Sequence, residues 1–117
     1  MVSMAEKQFG LNEIIFRQGA FEDTCYRITA GEVGIYVNYE EEDQQLLTKV
    51  GEGGFFGELG LIESYPRSAT AVSLADGTSV VEISAGEVTD YLGKSPENSI
   101  ALIKYLGGRL RVLTEDY

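Results

Sequence analysis

The 117 residues predict one mainly-β domain, an antiparallel β-roll with short helices that ends in one longer helix. Three observations carry this. Short β-rich runs fill the first half of the chain and are punctuated by Gly10, Gly19, Gly31, Gly51 and Gly53, the texture of a sandwich or barrel. The 44% hydrophobic content suits one compact core, and no internal repeat, low-complexity tract or linker divides residues 1–117. After Ile83 the periodicity changes from strand to helix.

Taken in order, Ser3-Met4-Ala5-Glu6 has capping-box spacing and predicts a short N-terminal helix. Glu13–Phe16, Cys25–Ile28 and Val33–Val37 read as strands. Ile28, Val33, Ile35 and Val37 fit alternating inward positions around a turn at Ala30-Gly31. Asn38–Asp43 is an acidic hairpin tip, best read as a solvated turn, and Gln45–Val50 returns as a strand. Ala69–Leu74 and Ser79–Ile83 predict a second hairpin around Asp76-Gly77. Ser84-Ala85-Gly86-Glu87 is a capping box for a short helix ending near Gly93. Ser95 and Pro96 open a final helix over about 96–116. Along it Ile103, Leu106, Leu110, Leu113 and Tyr117 form one apolar stripe, interrupted by Gly107-Gly108.

Composition excludes several functions. The chain has no histidine, so Ser-His-Asp and Cys-His catalysis and a His-rich metal site are ruled out, and no enzyme activity is expected. The net charge of -10 argues against direct nucleic-acid binding, which draws on Lys and Arg to neutralise phosphates. No apolar run is long enough to insert in a membrane, and no signal peptide opens the chain. Cys25 is the single cysteine, read as a small buried hydrophobe, and a cytoplasmic setting is expected.

The informative stretch runs from Phe56 to Val72. Gly57 and Gly60 allow backbone to approach a ligand where a Cβ would obstruct. Glu58–Ile62 can form one helical turn whose free N–H groups attract an anion. Arg67 is the single cation in the stretch and offers a planar fork suited to phosphate, flanked by the small residues Ser68 and Ala69. Singly, Glu58 and Arg67 read as a structural salt bridge. Together with Gly57, Gly60, Ala69 and Thr70 they read as a binding site.

The pattern Phe56–Ile62 followed by Pro66–Thr70 resembles the phosphate-binding cassette of the cyclic-nucleotide-binding domain family, F-G-E-L-[AG]-L, a short gap, then P-R-[AST]-A-T. That family includes the effector domain of bacterial catabolite activators and the regulatory subunits of protein kinase A. The G-x6-Y-x-I spacing from Gly19 to Ile28 and the run Gly31–Val37, which resembles the family's early G-x-V-x-V hairpin, extend the resemblance over nearly the whole chain. It implies a β-roll or jelly-roll with a short cassette helix and C-terminal helices.

The resemblance also implies a ligand, cAMP favoured over cGMP, and no other cofactor. Arg67 would pair with the exocyclic phosphate oxygens, and the amides of Gly60, Ser68 and Ala69 would complete the anion site. Glu58 would accept the ribose 2′-hydroxyl; Leu59, Leu61 and Ile62, which singly read as helix packing, would be placed beside Gly57 to sense occupancy. Thr114 lies where bacterial activators contact adenine, although the neighbouring Leu113 departs from their polar residue. The function implied is a non-catalytic sensor that relays occupancy through its last helix, forms at most a weak homodimer by that helix, and acts on an effector the sequence does not identify. A second reading stays open: a ligand-free structural or protein-interaction domain on the same fold.

Overall fold

A computed structural model describes residues 5–57 and 66–104. Eight strands occur among them: β1 (Ala5–Phe9), β2 (Ile14–Phe16), β3 (Thr24–Ala30), β4 (Val33–Val37), β5 (Gln45–Val50), β6 (Phe55–Phe56), β7 (Thr70–Ser73) and β8 (Thr78–Ser84). They form two four-stranded sheets of order β1-β8-β3-β6 and β2-β7-β4-β5, with every pair antiparallel. The predicted antiparallel β-roll is therefore the observed architecture.

The main core lies between the sheets. Tyr26, Ile28, Phe56 and Val80 from one face Phe16, Val33, Val50 and Ala71 from the other, and Ile35 packs against them. The inward alternation predicted for Ile28, Val33 and Ile35 is seen, while Val37, at the end of its strand, is half-buried. A second cluster occupies the outer face of the first sheet: Cys25, Phe55, Ile83 and Tyr91, with Val81, Val88, Ala101 and Leu102 against it. β3 is thus covered on both faces, because odd and even positions each meet an apolar layer.

Three expectations need correction. Ala5 and Glu6 belong to strand β1, not to a helix, because Ala5–Phe9 pairs with β8 from Ala5↔Glu82 to Phe9↔Thr78. A ladder of that length, reinforced by Lys7 Nζ at 2.6 Å from Glu82, outweighs a local cap. Next, the chain does turn at Asp76-Gly77, but β7 and β8 belong to different sheets and do not pair. The same holds for β3 and β4 at Gly31. Both turns are corners that carry the chain from one sheet to the other; the pairing of β4 with β5 is a true hairpin.

The two corners pack on each other. Leu74 N–H donates to Glu32 O at 2.8 Å, and Thr78 Oγ1–H, which donates to Ala75 O at 3.0 Å within its own corner, also reaches Glu32 O at 3.4 Å. Gly31 has φ +88°, and a Cβ there would lie 2.5 Å from Thr78 Oγ1 and 2.8 Å from Thr78 Cα. Only glycine fits both the dihedral and the space.

Beyond β8, a 3-10 turn (Ala85–Glu87) precedes α1 (Val88–Lys94). Glu87 Oε1 accepts from Ser84 N–H at 3.1 Å, the reach-back half of the predicted capping box, and also accepts from Ser84 Oγ–H at 2.7 Å. Ser95 Oγ accepts from Glu97 N–H at 3.1 Å, and residues 96–104 are helical. This helix is tied to α1 by Asn98 Nδ2–H to Tyr91 O at 2.8 Å and Ser99 Oγ–H to Leu92 O at 3.2 Å. Ala101 and Leu102 face the roll, whereas Ile103, the first member of the apolar stripe, is 68% exposed. Leu106, Gly107, Gly108, Leu110, Leu113 and Tyr117 lie outside the described residues. No described helix is long and apolar enough to cross a membrane.

Candidate functional site

Arg67 is the centre of the site. It precedes β7, and loop 17–20 fixes its backbone from both sides. Gly19 N–H donates to Arg67 O at 2.7 Å, and Arg67 N–H donates to Ala20 O at 2.8 Å. Gln18 N–H donates to the buried Thr70 Oγ1 at 2.9 Å. These bonds hold the arginine at the end of the roll with its side chain turned inward. It is 7% exposed, unusual for a residue that carries a full charge.

That burial is compensated by oxygens and by a ring. Nη1–H donates to Gly57 O at 2.9 Å, and Nη2–H donates to Thr24 O at 2.6 Å and Thr24 Oγ1 at 3.0 Å. Glu22 Oε1 forms an ion pair with Nη2 at 3.5 Å. The guanidinium carbon lies 4.2 Å from the centroid of Phe16, a cation–π contact on a partly desolvated face. Phe16 in turn meets Tyr26 and Phe56 at centroid distances of 5.9 Å each, and Tyr26 and Phe56 stack at 5.0 Å. The cation therefore rests on the aromatic end of the main core.

One donor is left over: Arg67 Nε is buried and has no hydrogen-bond partner among the described residues. An unmet N–H on a buried cation is costly, and it marks where an acceptor is wanted. Gly57 explains how the backbone comes so close. Its φ is +73°, and a Cβ would lie 2.9 Å from Arg67 Nη1 and 3.3 Å from Phe16 Cε2.

Of the residues singled out in the sequence, Gly57 and Arg67 come together directly. Ala69 is buried and Ser68 is exposed beside them. Glu58, Leu59, Gly60, Leu61, Ile62 and Thr114 lie outside the described residues. The sequence reading missed Phe16, Glu22 and Thr24. Glu22 and Thr24 fall within the Gly19-to-Tyr26 spacing, whose fixed length was the available clue. Among the described residues no cluster of His, Cys, Asp or Glu could hold a metal ion.

Cys25 is buried under the same end of the roll. Burial pushes its thiol up to about 12, with the positive charge of Arg67 acting in the opposite sense. It is a packing residue, as the sequence suggested.

The family model described as "Cyclic nucleotide-binding domain" matches residues 6–95, which span both sheets and the Arg67 site. The chain belongs to the cyclic nucleotide-binding domain family. It is 36% identical over 74 residues to a cAMP-dependent protein kinase regulatory subunit of Blastocladiella emersonii, covering 63% of this chain and 18% of that protein. It is 29% identical over 101 residues to a cAMP-activated global transcriptional regulator of Salmonella typhimurium, covering 86% of this chain and 48% of that protein. The chain thus spans less than half the length of either relative. Among solved structures, a cyclic nucleotide-binding domain from Methylobacillus flagellatus superposes with a TM-score of 0.74 at 26% identity, over 92% of this chain and 62% of that one. These likenesses agree with the family assignment and with the observed β-roll.

Proposed function

We propose that the chain is a non-catalytic sensor that binds a cyclic nucleotide, cAMP in preference to cGMP, and reports occupancy through its final helix. The observation that supports this reading is the buried Arg67, whose Nε has no hydrogen-bond partner among the described residues, seated in a glycine-opened backbone. A phosphodiester oxygen would serve as acceptor for that N–H. Glu58 would take the 2′-hydroxyl, the amides of Gly60, Ser68 and Ala69 would complete the anion site, and Leu59 would follow its closure. Thr114 would meet the base. The names of the kinase and transcriptional relatives support cAMP as the ligand.

A relay has a physical basis in β6. Phe56 belongs to the aromatic stack under Arg67, while the adjacent Phe55 meets Tyr91 of α1 edge-on at 6.4 Å. Gly57 follows at once, so movement beside the anion site bears on the helices. The reading places the protein in the cytoplasm, with at most a weak homodimer through the last helix, and with its output in an effector domain or partner. It assigns no direct contact with nucleic acid or membrane.

Calorimetry of the chain with cAMP and cGMP is the test. Arg67→Ala is expected to weaken binding at least about 30-fold, since truncating one partner of a buried charge pair costs roughly 2–5 kcal/mol. Absence of cyclic-nucleotide binding by the parent would refute the reading and leave the ligand-free alternative. Glu58→Gln is expected to narrow the preference for the ribonucleotide over its 2′-deoxy analogue; an unchanged preference would remove Glu58 from the ribose contact.

A further inference from the structure

Glu22 is the one charged neighbour of Arg67 among the described residues, and its contact differs in kind from the others. Nη2 has two N–H groups, and both Thr24 oxygens lie within hydrogen-bonding distance of it, at 2.6 and 3.0 Å. The carboxylate stands further out, at 3.5 Å, and makes no hydrogen bond with the guanidinium, so it is held by charge alone. The two side chains also differ in exposure: 5% for Arg67 against 36% for Glu22. The acid is therefore the more solvent-exposed member of the pair, and an anion bound to Arg67 would share the cation with it.

We infer that Glu22 is a charge filter, a specificity-determining residue that favours singly charged phosphodiesters over doubly charged phosphomonoesters at Arg67. This rests on the reading of Arg67 as the phosphate anchor. A cyclic phosphodiester carries one negative charge, whereas a phosphomonoester carries between 1.5 and 2 at neutral pH. Repulsion from a fixed carboxylate grows in proportion to ligand charge. A penalty of about threefold in affinity for the monoanion, reasonable for a partly screened acid, becomes about tenfold for the dianion. Glu22 would thus reject the hydrolysis product of the ligand more strongly than the ligand itself.

The competing explanation is that Glu22 merely neutralises a buried arginine. Removing it would then leave the ratio of affinities unmoved. The experiment compares the parent with Glu22→Gln, using cAMP and adenosine 5′-monophosphate as competitors of a fluorescent cyclic nucleotide. Asp23→Asn is the control: it removes the same charge from the exposed neighbouring residue, which makes no ion pair with Arg67 among the described residues. The expected result for Glu22→Gln is about threefold tighter cAMP and about tenfold tighter monophosphate, with the Asp23→Asn ratio unchanged. A constant ratio in Glu22→Gln, equal shifts in both variants, or no monophosphate competition in any of the proteins would overturn the inference and leave the site reading standing. A parent that binds no cyclic nucleotide would overturn both.

Discussion

Among single residues, Cys25 allows the simplest check. Its thiol is pushed to about 12 from an ordinary 9.0, and the dominant cause is burial. The native thiolate is therefore scarce near neutrality, and iodoacetamide should react with the folded protein at pH 8 at least about 100-fold more slowly than with the denatured chain. The pH dependence follows with a definite sign. A folded-state value raised above the unfolded one keeps full stability below 9.0 and loses it as pH rises toward about 12. Tyr26, also raised chiefly by burial, adds to that loss above 10.0. Chemical denaturation of parent and Cys25→Ala at pH 7 and pH 11 should show a smaller alkaline decline in the variant. Equal declines would show that the thiol is not a source of it.

At the level of elements, the corners matter more than the strands they join. Gly31→Ala would put a Cβ against Thr78 Oγ1 and Thr78 Cα at a φ of +88°. Backbone is among the atoms met, so no rotamer relieves the clash, and a loss of roughly 2–4 kcal/mol is expected from urea unfolding. An unchanged midpoint would mean that the two corners are not packed as described. The corners also show what could be read from sequence. Glycine and the Asp76-Gly77 pair locate the reversals correctly, because they report a local dihedral need. They do not say which strand is met afterwards, because a hairpin and a sheet-to-sheet corner ask for the same residues. The Arg67 site divides in the same way. Gly57 and Arg67 were legible because their neighbours in sequence form a pattern. Phe16, Glu22 and Thr24 were not, because they reach the guanidinium only through the fold; Thr24 is 43 residues away. The capping box at Ser84 held because both its partners are local. That at Ser3–Glu6 failed for Ala5 and Glu6, where distant β8 offered a full ladder.

Across the whole molecule, Tyr91 joins the roll to its helices. Its hydroxyl accepts from Arg27 Nη1–H at 3.0 Å, and the Arg27 guanidinium carbon lies 5.1 Å from the Phe55 ring centroid. Tyr91→Phe removes the acceptor and keeps the ring. A loss of about 1 kcal/mol is expected, a fall in melting temperature of roughly 3–5 °C for a domain of this size. A melting curve identical to the parent's would show that packing alone holds the helices.

The strand order of the first sheet has a consequence for how the protein is made. β8, the last of the described strands, lies between β1 and β3. During synthesis neither of them can find it until the ribosome has passed Ser84, on the order of ten seconds after β1 at about 5–20 residues per second. A nascent strand left open that long is an aggregation risk if it is apolar. Ala5-Glu6-Lys7-Gln8 is not: its residues are exposed even in the finished domain. β1, which must wait longest for β8 among the described strands, is suited to waiting in water.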